Sequence, residues 1–282
     1  MVSVHRAMKL VPISLGIAGR RRQLIFSLFD GIYRNSAQKT LDTNLGTFDI
    51  KWENSTERYL SYCFYNLLRH YRESDLGHYI LNKPDVGKVF IDIGANLGFY
   101  SLLARQSGFE TIAIEPEPAH MDFIRRNTHL LGPALFIAVS DNPGSLPLYY
   151  AEGNTGAATL CNFPGYVKGK ATVPVDTFDN LVFANKFGPP EHISLIKVDV
   201  EGREGEAVAG MRRFLKQGYR PNIWCEVRGD KATRAVGSYH LVSETLREFG
   251  YLPHDYIGGV LKKPSDDELS KRVLFDLLFI AN

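Results

Sequence analysis

Cysteine is scarce in this chain, and long apolar runs are absent. Cys63, Cys161 and Cys225 are the only cysteines in 282 residues and lie far apart, which excludes a C-x-x-C zinc or redox pair and an even-numbered disulfide framework. That usage points to a reducing, cytoplasmic compartment. No stretch of about 18 apolar residues occurs. The longest N-terminal candidate, Leu10 to Ala18, contains Pro12 and runs towards Arg20-Arg21-Arg22, so neither a membrane span nor a secretion signal is expected. Charge of one sign is not in excess: 33 basic and 31 acidic residues leave +2, too little to make the whole chain a polyanion binder. The imbalance is local, with seven basic side chains and one acid in residues 1–40, a net +6 that leaves −4 for the remainder. G-x-S-x-G, G-x-x-x-x-G-K-[ST], H-x-x-x-H and a three-cysteine cluster are all missing. Their absence removes nucleophile-elbow hydrolysis, P-loop chemistry, a paired-histidine metal site and an iron–sulfur radical enzyme.

What is present is a 44% hydrophobic composition, enough to bury a sizeable core in one large domain or two small ones. Strand-length apolar runs recur at Lys88–Ile93, Thr111–Glu115, Leu135–Val139, Ile193–Val198, Asn222–Val227 and Val273–Ile280. Helix-period segments, including Phe99–Gln106, Pro118–Leu131 and Glu204–Gln217, separate most of them. That alternation predicts an α/β fold with a doubly wound, mostly parallel sheet and helices on both faces. The glycine- and aromatic-rich stretch between Asp141 and Val175 predicts a strand pair carrying a long loop. The Tyr251–Ile257 stretch has no helix between it and Val273–Ile280, so an antiparallel pair should finish the sheet. Residues 1–83 are expected to form an N-terminal, mostly helical cap and residues 84–282 the sheet domain. Within the cap, Leu24, Leu28 and Ile32 share one face, Thr47–Trp52 alternates like a short strand, and Thr56–Tyr71 is again periodic.

The segment from Val89 to Gly98 is a hydrophobic strand running into a G-x-x-x-G turn that opens a helix. A glycine turn by itself is also a plain βα connection. Here the strand before, the helix after and an acid at the next strand end agree on a nucleotide-type cofactor site built from Asp92, Gly94, Asn96 and Gly98. Asn96 stands where a dinucleotide fold needs its second glycine, which disfavours a pyrophosphate cofactor and with it a nicotinamide-dependent dehydrogenase. A ligand with an amino-acid end and an adenosine end suits better. Asp92 can favour a cationic group, and the helix N-terminus beyond Gly98 attracts a carboxylate. Glu115, 21 residues after Gly94, is placed to accept hydrogen bonds from vicinal ribose hydroxyls. Ser140 and Asp141 can meet the adenine, although an Asx turn before Pro143 explains Asp141 equally well. Either His120 or His240 can act as a base, but each is isolated and reads first as a surface or satisfied residue, and Cys161 and Cys225 read as small packing residues.

Taken together, Asp92, Gly94, Asn96, Gly98 and Glu115 resemble the class I S-adenosylmethionine-dependent methyltransferases. The run Ile196-Lys197-Val198-Asp199-Val200-Glu201-Gly202-Arg203-Glu204 is similar to the I-K-x-D-x-E-G-x-E signature of the FkbM-type members. Val173-Pro174-Val175-Asp176-Thr177-Phe178-Asp179 resembles their V-P-V-x-T-L-D run, with Phe178 in place of leucine. Pro221–Glu226 and Asp276–Ile280 also fit, so the resemblance covers about residues 84–282. It implies a Rossmann-like fold, S-adenosylmethionine as co-substrate, and hydroxyl acceptors on sugars, in surface glycans or glycosylated natural products. Nucleic acid is not the expected substrate, because the Asn/Asp-Pro-Pro-Tyr/Phe motif of base-amine methylases is missing.

Asp199 and Glu226 should end neighbouring strands at the ligand-binding edge, with Glu201 and Glu204 on the turn beyond. A carboxylate ending an apolar strand costs desolvation, and a deprotonated acid beside the accepting hydroxyl is what O-methylation needs as general base. Asp199 is the expected base, with Glu226 and Glu201 beside it; the helix dipole accounts for Glu204 and is also a plain reading of Glu201. Asp199 and Glu226 can alternatively hold a divalent cation, a reading placed second because two oxygen donors leave the shell unspecified. A dedicated metal site is therefore not assigned. Tyr149, Tyr150, Phe163 and Tyr166 either offer a sugar-stacking surface or pack their own loop. A non-catalytic module that binds S-adenosylmethionine or anchors partners is the competing reading. Arg6, Lys9, Arg20, Arg21, Arg22, Arg34 and Lys39 flank apolar faces that can lie peripherally on anionic lipid, receive an anionic glycan, or pack as a cap or homodimer interface.

Overall fold

The structure is a computed structural model that describes residues 40–51, 57, 64, 67–83, 85–151, 154–163, 166–229 and 239–282. The basic N-terminal segment, the face of Leu24, Leu28 and Ile32, and much of Thr56–Tyr71 lie outside the described residues. The chain divides into two compact units, Met1–Tyr71 and Arg72–Asn282. In the first, β1 (Thr40–Thr43) and β2 (Gly46–Asp49) form an antiparallel hairpin in which Thr40 pairs with Asp49. The Thr43 hydroxyl stabilises the turn by accepting from Leu45 N–H at 3.0 Å and donating to the Gly46 carbonyl at 2.7 Å. The strand expected at Thr47–Trp52 is thus shorter and has a partner strand at 40–43.

In the second unit, α1 (Asp75–Asn82) opens at Ser74, whose hydroxyl accepts from Gly77 N–H, a side-chain cap. This helix belongs with the sheet rather than with the N-terminal segment. Tyr79 receives a 2.6 Å hydrogen bond from Asn222 and stands edge-on to Tyr256 at 5.1 Å between centroids. The boundary between the two compact units thus lies ahead of α1, between Tyr71 and Arg72. There follow β3 (Val89–Ile93), α2 (Phe99–Gln106), β4 (Glu110–Ile114), α3 (Pro118–Arg126), α4 (Thr128–Leu131), β5 (Ala134–Leu135) and β6 (Ala138–Val139). The next group is β7 (Gly144–Ala151), β8 (Asn154–Thr159), β9 (Tyr166–Asp176), α5 (Phe178–Phe183), β10 (Ile193–Val198), α6 (Glu204–Ala209), α7 (Arg212–Lys216) and β11 (Asn222–Arg228). The chain ends with α8 (Tyr239–Arg247), β12 (Tyr251–Ile257), β13 (Val260–Lys262), α9 (Asp266–Ser270) and β14 (Leu274–Ala281).

The main sheet has the order β13-β12-β14-β11-β10-β3-β4-β5, parallel from β11 through β5, with β14 antiparallel to β11 and β12 antiparallel to β14. This is the expected Rossmann-like doubly wound sheet with its antiparallel finish. All five residues of β3 are buried, as befits a central strand covered on both faces. From β3 the chain steps outward through β4 and β5, and from β10 it steps the other way through β11. The reversal lies between β3 and β10, and ligands of such sheets bind outside the strand carboxyl ends at that point.

Four segments differ from the sequence pattern. The run Leu135–Val139 bends, so β5 stays in the main sheet while β6 pairs with β9 in a second, four-stranded sheet of order β6-β9-β7-β8. The segment expected as a strand pair thus holds three strands. The helix expected over Glu204–Gln217 breaks at Gly210, where a Cβ would stand 2.3 Å from the Ser140 carbonyl oxygen. Asp179 then caps α7, accepting from Phe214 N–H at 2.7 Å and Arg213 N–H at 2.8 Å. Pro118–Leu131 likewise breaks at Asn127, which separates α3 from α4.

Candidate active site

The turn after β3 is shaped by three left-handed residues: Gly94 (φ 77°), Asn96 (φ 54°) and Gly98 (φ 75°). Asparagine tolerates that region better than most residues with a side chain. Its backbone N–H donates to Glu115 Oε2 at 2.7 Å. At Gly94 glycine is required, because a Cβ there would lie 1.8 Å from the Asp199 carbonyl oxygen. The Asp199 N–H in turn donates to the Ile93 carbonyl at 3.1 Å. The cofactor-type turn and the residue after β10 are therefore stitched together through the backbone.

Glu115 follows β4 as expected and is 5% exposed. Besides Asn96 it accepts from Glu117 N–H at 2.8 Å, and carboxylate oxygens retain further lone pairs for hydroxyls. Glu117 caps α3 through His120 N–H at 2.7 Å, with Pro118 in the first turn. His120 Nδ1 lies 3.7 Å from Glu115 and 3.9 Å from Glu117. Burial disfavours the charged ring, but Glu115 and then Glu117 outweigh it and raise His120 above its ordinary value. The Tyr150 hydroxyl of β7 donates to Glu117 at 3.2 Å. Burial, then Glu117, pushes that phenol up to about 12.

Asp92 is placed differently from the expectation that it would meet a cationic group of the cofactor. It has no exposed surface. Oδ2 accepts from Ser101 N–H at 3.2 Å and the Ser101 hydroxyl at 2.8 Å, while the cation it meets is Lys197, with Nζ 3.2 Å from Oδ1. Asp92 and Lys197 are register partners on β3 and β10, so parallel pairing puts them on one face. The sequence pattern alone assigns Lys197 no role. The signal was there: one lysine in the apolar strand Ile193–Val198 and one aspartate in the apolar strand Val89–Ile93. Ser140 is buried, its hydroxyl donating to Asp141 at 3.1 Å, and Asp141 is exposed beside the β6–β9 pair. The bend after β5 thus carries both residues to the segment just beyond β6, between that strand and β7.

The acids converge at the carboxyl edge. Val198 and Cys225 are register partners on β10 and β11, which puts Asp199 beside Glu226. Glu226 lies within β11 rather than at its end, as that strand continues to Arg228. Burial raises Glu226 to about 8, helped first by Asp199 and then by Glu201, Asp276 and Glu204. Asp276, a residue to which sequence reasoning gave no role, is the antiparallel register partner of Glu226. Burial, then Asp199, lifts it to about 6. Glu204 is buried and closes the turn, accepting from Gly202 N–H at 2.8 Å and Val200 N–H at 3.2 Å, and burial raises it to about 7. Its position does more than face a helix dipole.

Glu201 has φ 56°, a strained left-handed conformation for a residue with a long side chain. It is anchored twice, through its carbonyl to the Thr159 hydroxyl at 2.8 Å and through its carboxylate to Arg228 at 3.5 Å. Burial and then Asp199 raise its carboxyl above the ordinary glutamate value. Asp199 itself keeps 34% of its side chain exposed and lies 3.4 Å from Lys197 Nζ. Phe163 is buried and packs edge-on against Tyr166 at 5.6 Å. Among the described residues no three His, Cys, Asp or Glu side chains gather in a metal-holding arrangement, and no helix is long and apolar enough to cross a membrane.

A search among curated proteins found none that matches. Similar solved structures include precorrin-6Y C5,15-methyltransferase from Geobacter metallireducens, with 14% identity over 73% of this chain and 86% of that one and a TM-score of 0.38. Magnesium protoporphyrin IX methyltransferase from Synechocystis, with bound S-adenosylmethionine, shares 8% over 94% of this chain and 99% of its own, at 0.41. A TehB-like S-adenosylmethionine-dependent methyltransferase from Corynebacterium glutamicum shares 11% over 78% and 96%, at 0.39. The Methyltransferase FkbM domain matches residues 92–253, which begin in β3 at Asp92 and contain the glycine turn, Glu115, Asp199 and Glu226. More than half of the sequence lies in that match, and the chain belongs to the FkbM family of S-adenosylmethionine-dependent methyltransferases.

Proposed function

We propose that this methyltransferase acts on a hydroxyl group of a sugar, in a glycan or a glycosylated natural product. The observation that carries the reading is Asp199, a carboxylate one-third exposed at the strand switch point whose backbone abuts the glycine turn. S-adenosylmethionine, when bound, supplies a methyl group on a sulfonium that is already a good leaving group. Gly94 and Asn96 shape the turn for it, and Glu115 accepts its ribose hydroxyls. The buried members Asp92 and Ser140 act by shaping the walls, Gly98 by starting α2, and Asp141 from the exposed rim.

On the acceptor side, Asp199 takes the hydroxyl proton as the oxygen gains the methyl group and the C–S electron pair stays on sulfur. The products are a methyl ether and a neutral thioether. Glu226, protonated near neutral pH, donates a hydrogen bond to the acceptor instead of repelling the forming oxyanion. Glu201 and Arg228 line the approach. Positioning supplies much of the rate. The free, buried thiols Cys161 and Cys225 suit a reducing cytoplasm.

The test is a methyl-transfer screen of the purified chain with labelled S-adenosylmethionine against sugar hydroxyl, amine and carbon acceptors, with and without chelator. Ether formation on sugars, insensitive to chelator, is the expected result. Transfer only to nitrogen or carbon overturns the acceptor class, and cofactor binding with no transfer to any acceptor favours the non-catalytic module.

A further inference from the structure

Lys197 stands on β10 between β3 and β11 with 5% of its side chain exposed. An ammonium has three donors and no acceptor, and three oxygens surround this one. Gly94 O accepts at 2.8 Å, Asp92 Oδ1 lies at 3.2 Å and Asp199 Oδ2 at 3.4 Å. The face of the Tyr100 ring completes the enclosure, with Nζ 5.7 Å from its centroid. These partners belong to both halves of the site. Gly94 forms the cofactor-side turn, and Asp199 is the acceptor-side carboxylate.

A buried ion pair is costly unless geometry and extra hydrogen bonds offset the desolvation. Asp92 alone, already held by Ser101, would suffice to neutralise one lysine. Asp199 is different, because its side chain is one-third exposed and needs no buried cation for its own solvation. Burial pulls the Lys197 ammonium down, yet Asp199 and then Asp92 together push it above the ordinary lysine value.

We propose that Lys197 is a positioning residue that holds the Asp199 carboxylate against the Gly94 turn, so that proton acceptor and methyl-donor turn keep a fixed separation during transfer. The inference rests on the reading of Asp199 as the base. It assigns Lys197 a role that neutralising Asp92 does not require.

Two variants separate the roles. Lys197→Met leaves Asp92 and Asp199 without their shared cation. Asp92→Asn with Lys197→Met removes both buried charges together, so it restores the buried balance while Asp199 still lacks its partner. The double variant should melt near the wild type. With saturating cofactor and an acceptor that the wild type methylates, its kcat should fall by at least about tenfold, and the acid limb of its pH profile should move to higher pH. Recovery of wild-type turnover and profile in the double variant reduces Lys197 to a counter-ion of Asp92 and overturns the proposal. Failure of both variants to fold overturns it as well, since the pair would then be a requirement of folding.

A second measurement needs neither cofactor nor acceptor. With aspartate labelled by carbon-13 at the side-chain carboxyl and the Asp199 resonance assigned by its loss in Asp199→Asn, that resonance should change position at neutral pH in the double variant, because the cation 3.4 Å away is gone. An unmoved resonance overturns the proposal. Absence of wild-type turnover on any hydroxyl defeats the proposed acceptor class alone, because the resonance still reports on Lys197.

Discussion

Gly94 and Asp199 meet backbone to backbone, so closely that a single added carbon on Gly94 would lie 1.8 Å from the Asp199 carbonyl oxygen. Gly94→Ala should therefore destabilise the fold by more than about 2 kcal/mol, from overpacking together with a left-handed φ, and should weaken S-adenosylmethionine binding in the fraction that folds. Chemical denaturation and calorimetry read both effects. Near-wild-type values in both would remove the close approach from the account.

Glu115 joins the strand end to the turn through Asn96 N–H and to α3 through Glu117 N–H. Glu115→Ala should weaken S-adenosylhomocysteine binding by about 1.5–3 kcal/mol, the worth of hydrogen bonds to a charged group. Unchanged affinity by titration calorimetry would take Glu115 out of the cofactor site.

Asp199→Asn keeps shape and removes the proton acceptor. Cofactor affinity should stay within a few fold while methyl transfer falls by about 10²–10⁴, the usual contribution of general-base catalysis. Activity that survives the substitution but collapses with chelator would move the role to a bound cation.

The acids around Asp199 also give a pH signature. Glu226 at about 8, Glu204 at about 7 and Asp276 at about 6 all stand above their ordinary values of 4.5, 4.5 and 3.8. A carboxyl raised on folding contributes stability that is complete below its unfolded value and is lost as pH rises through its folded one. The melting temperature should accordingly fall between pH 5 and 9, a window set by those three groups. Glu226→Gln should be neutral at the acid end and stabilising at the alkaline end, by roughly 2–4 °C for each kcal/mol of charge burial relieved. A variant that melts in parallel with the wild type across the range contradicts the assignment.

Thr159→Val probes the link between the second sheet and the acceptor side. The Thr159 hydroxyl holds the carbonyl of strained Glu201 and accepts from Cys161 N–H. Its loss should cost about 1 kcal/mol of stability and lower turnover with little change in cofactor affinity. Kinetics at saturating cofactor decide it.

Whatever depended on local pattern was legible in the sequence. Val89–Ile93 followed by Gly94 and Gly98 announces a strand, a turn and a helix. Asp199 is conspicuous as a carboxylate after an apolar run. The antiparallel finish was legible too, although the short helix α9, capped by Ser265 and Glu268, stands between β12 and β14 where the sequence pattern predicts none. What stayed hidden is set by partners distant in the chain. A side chain at Gly210, where the helical pattern breaks, would meet the Ser140 carbonyl at 2.3 Å, and nothing near Gly210 in the chain signals that approach. The bend between Leu135 and Ala138 depends on β9, some 35 residues later. Asp92 resembled a ligand-facing acid until its register partner Lys197 was known. A turn-forming Asn96 and a ribose acid were recognisable separately, but their hydrogen bond exists only once β3 and β4 lie side by side.

The second sheet starts and finishes side by side. The chain enters it at Ala138–Val139 and leaves it at Val175–Asp176, and these two pairs are direct neighbours in a parallel ladder, about 4.8 Å apart. Lengthening such a closed segment costs only about 0.6 kcal/mol of closure entropy for each doubling of its length. Residues 140–174 thus form an exchangeable cassette: β7, β8 and the loops between them can lengthen, shorten or be swapped for a relative's without displacing β5 or α5. Tyr150, which bonds to Glu117 next to Glu115, and Thr159, which holds the Glu201 carbonyl, both lie within it, so such exchanges would reach the surroundings of both Glu115 and Glu201 while the turn of Gly94 and the strand of Asp199 stay as they are.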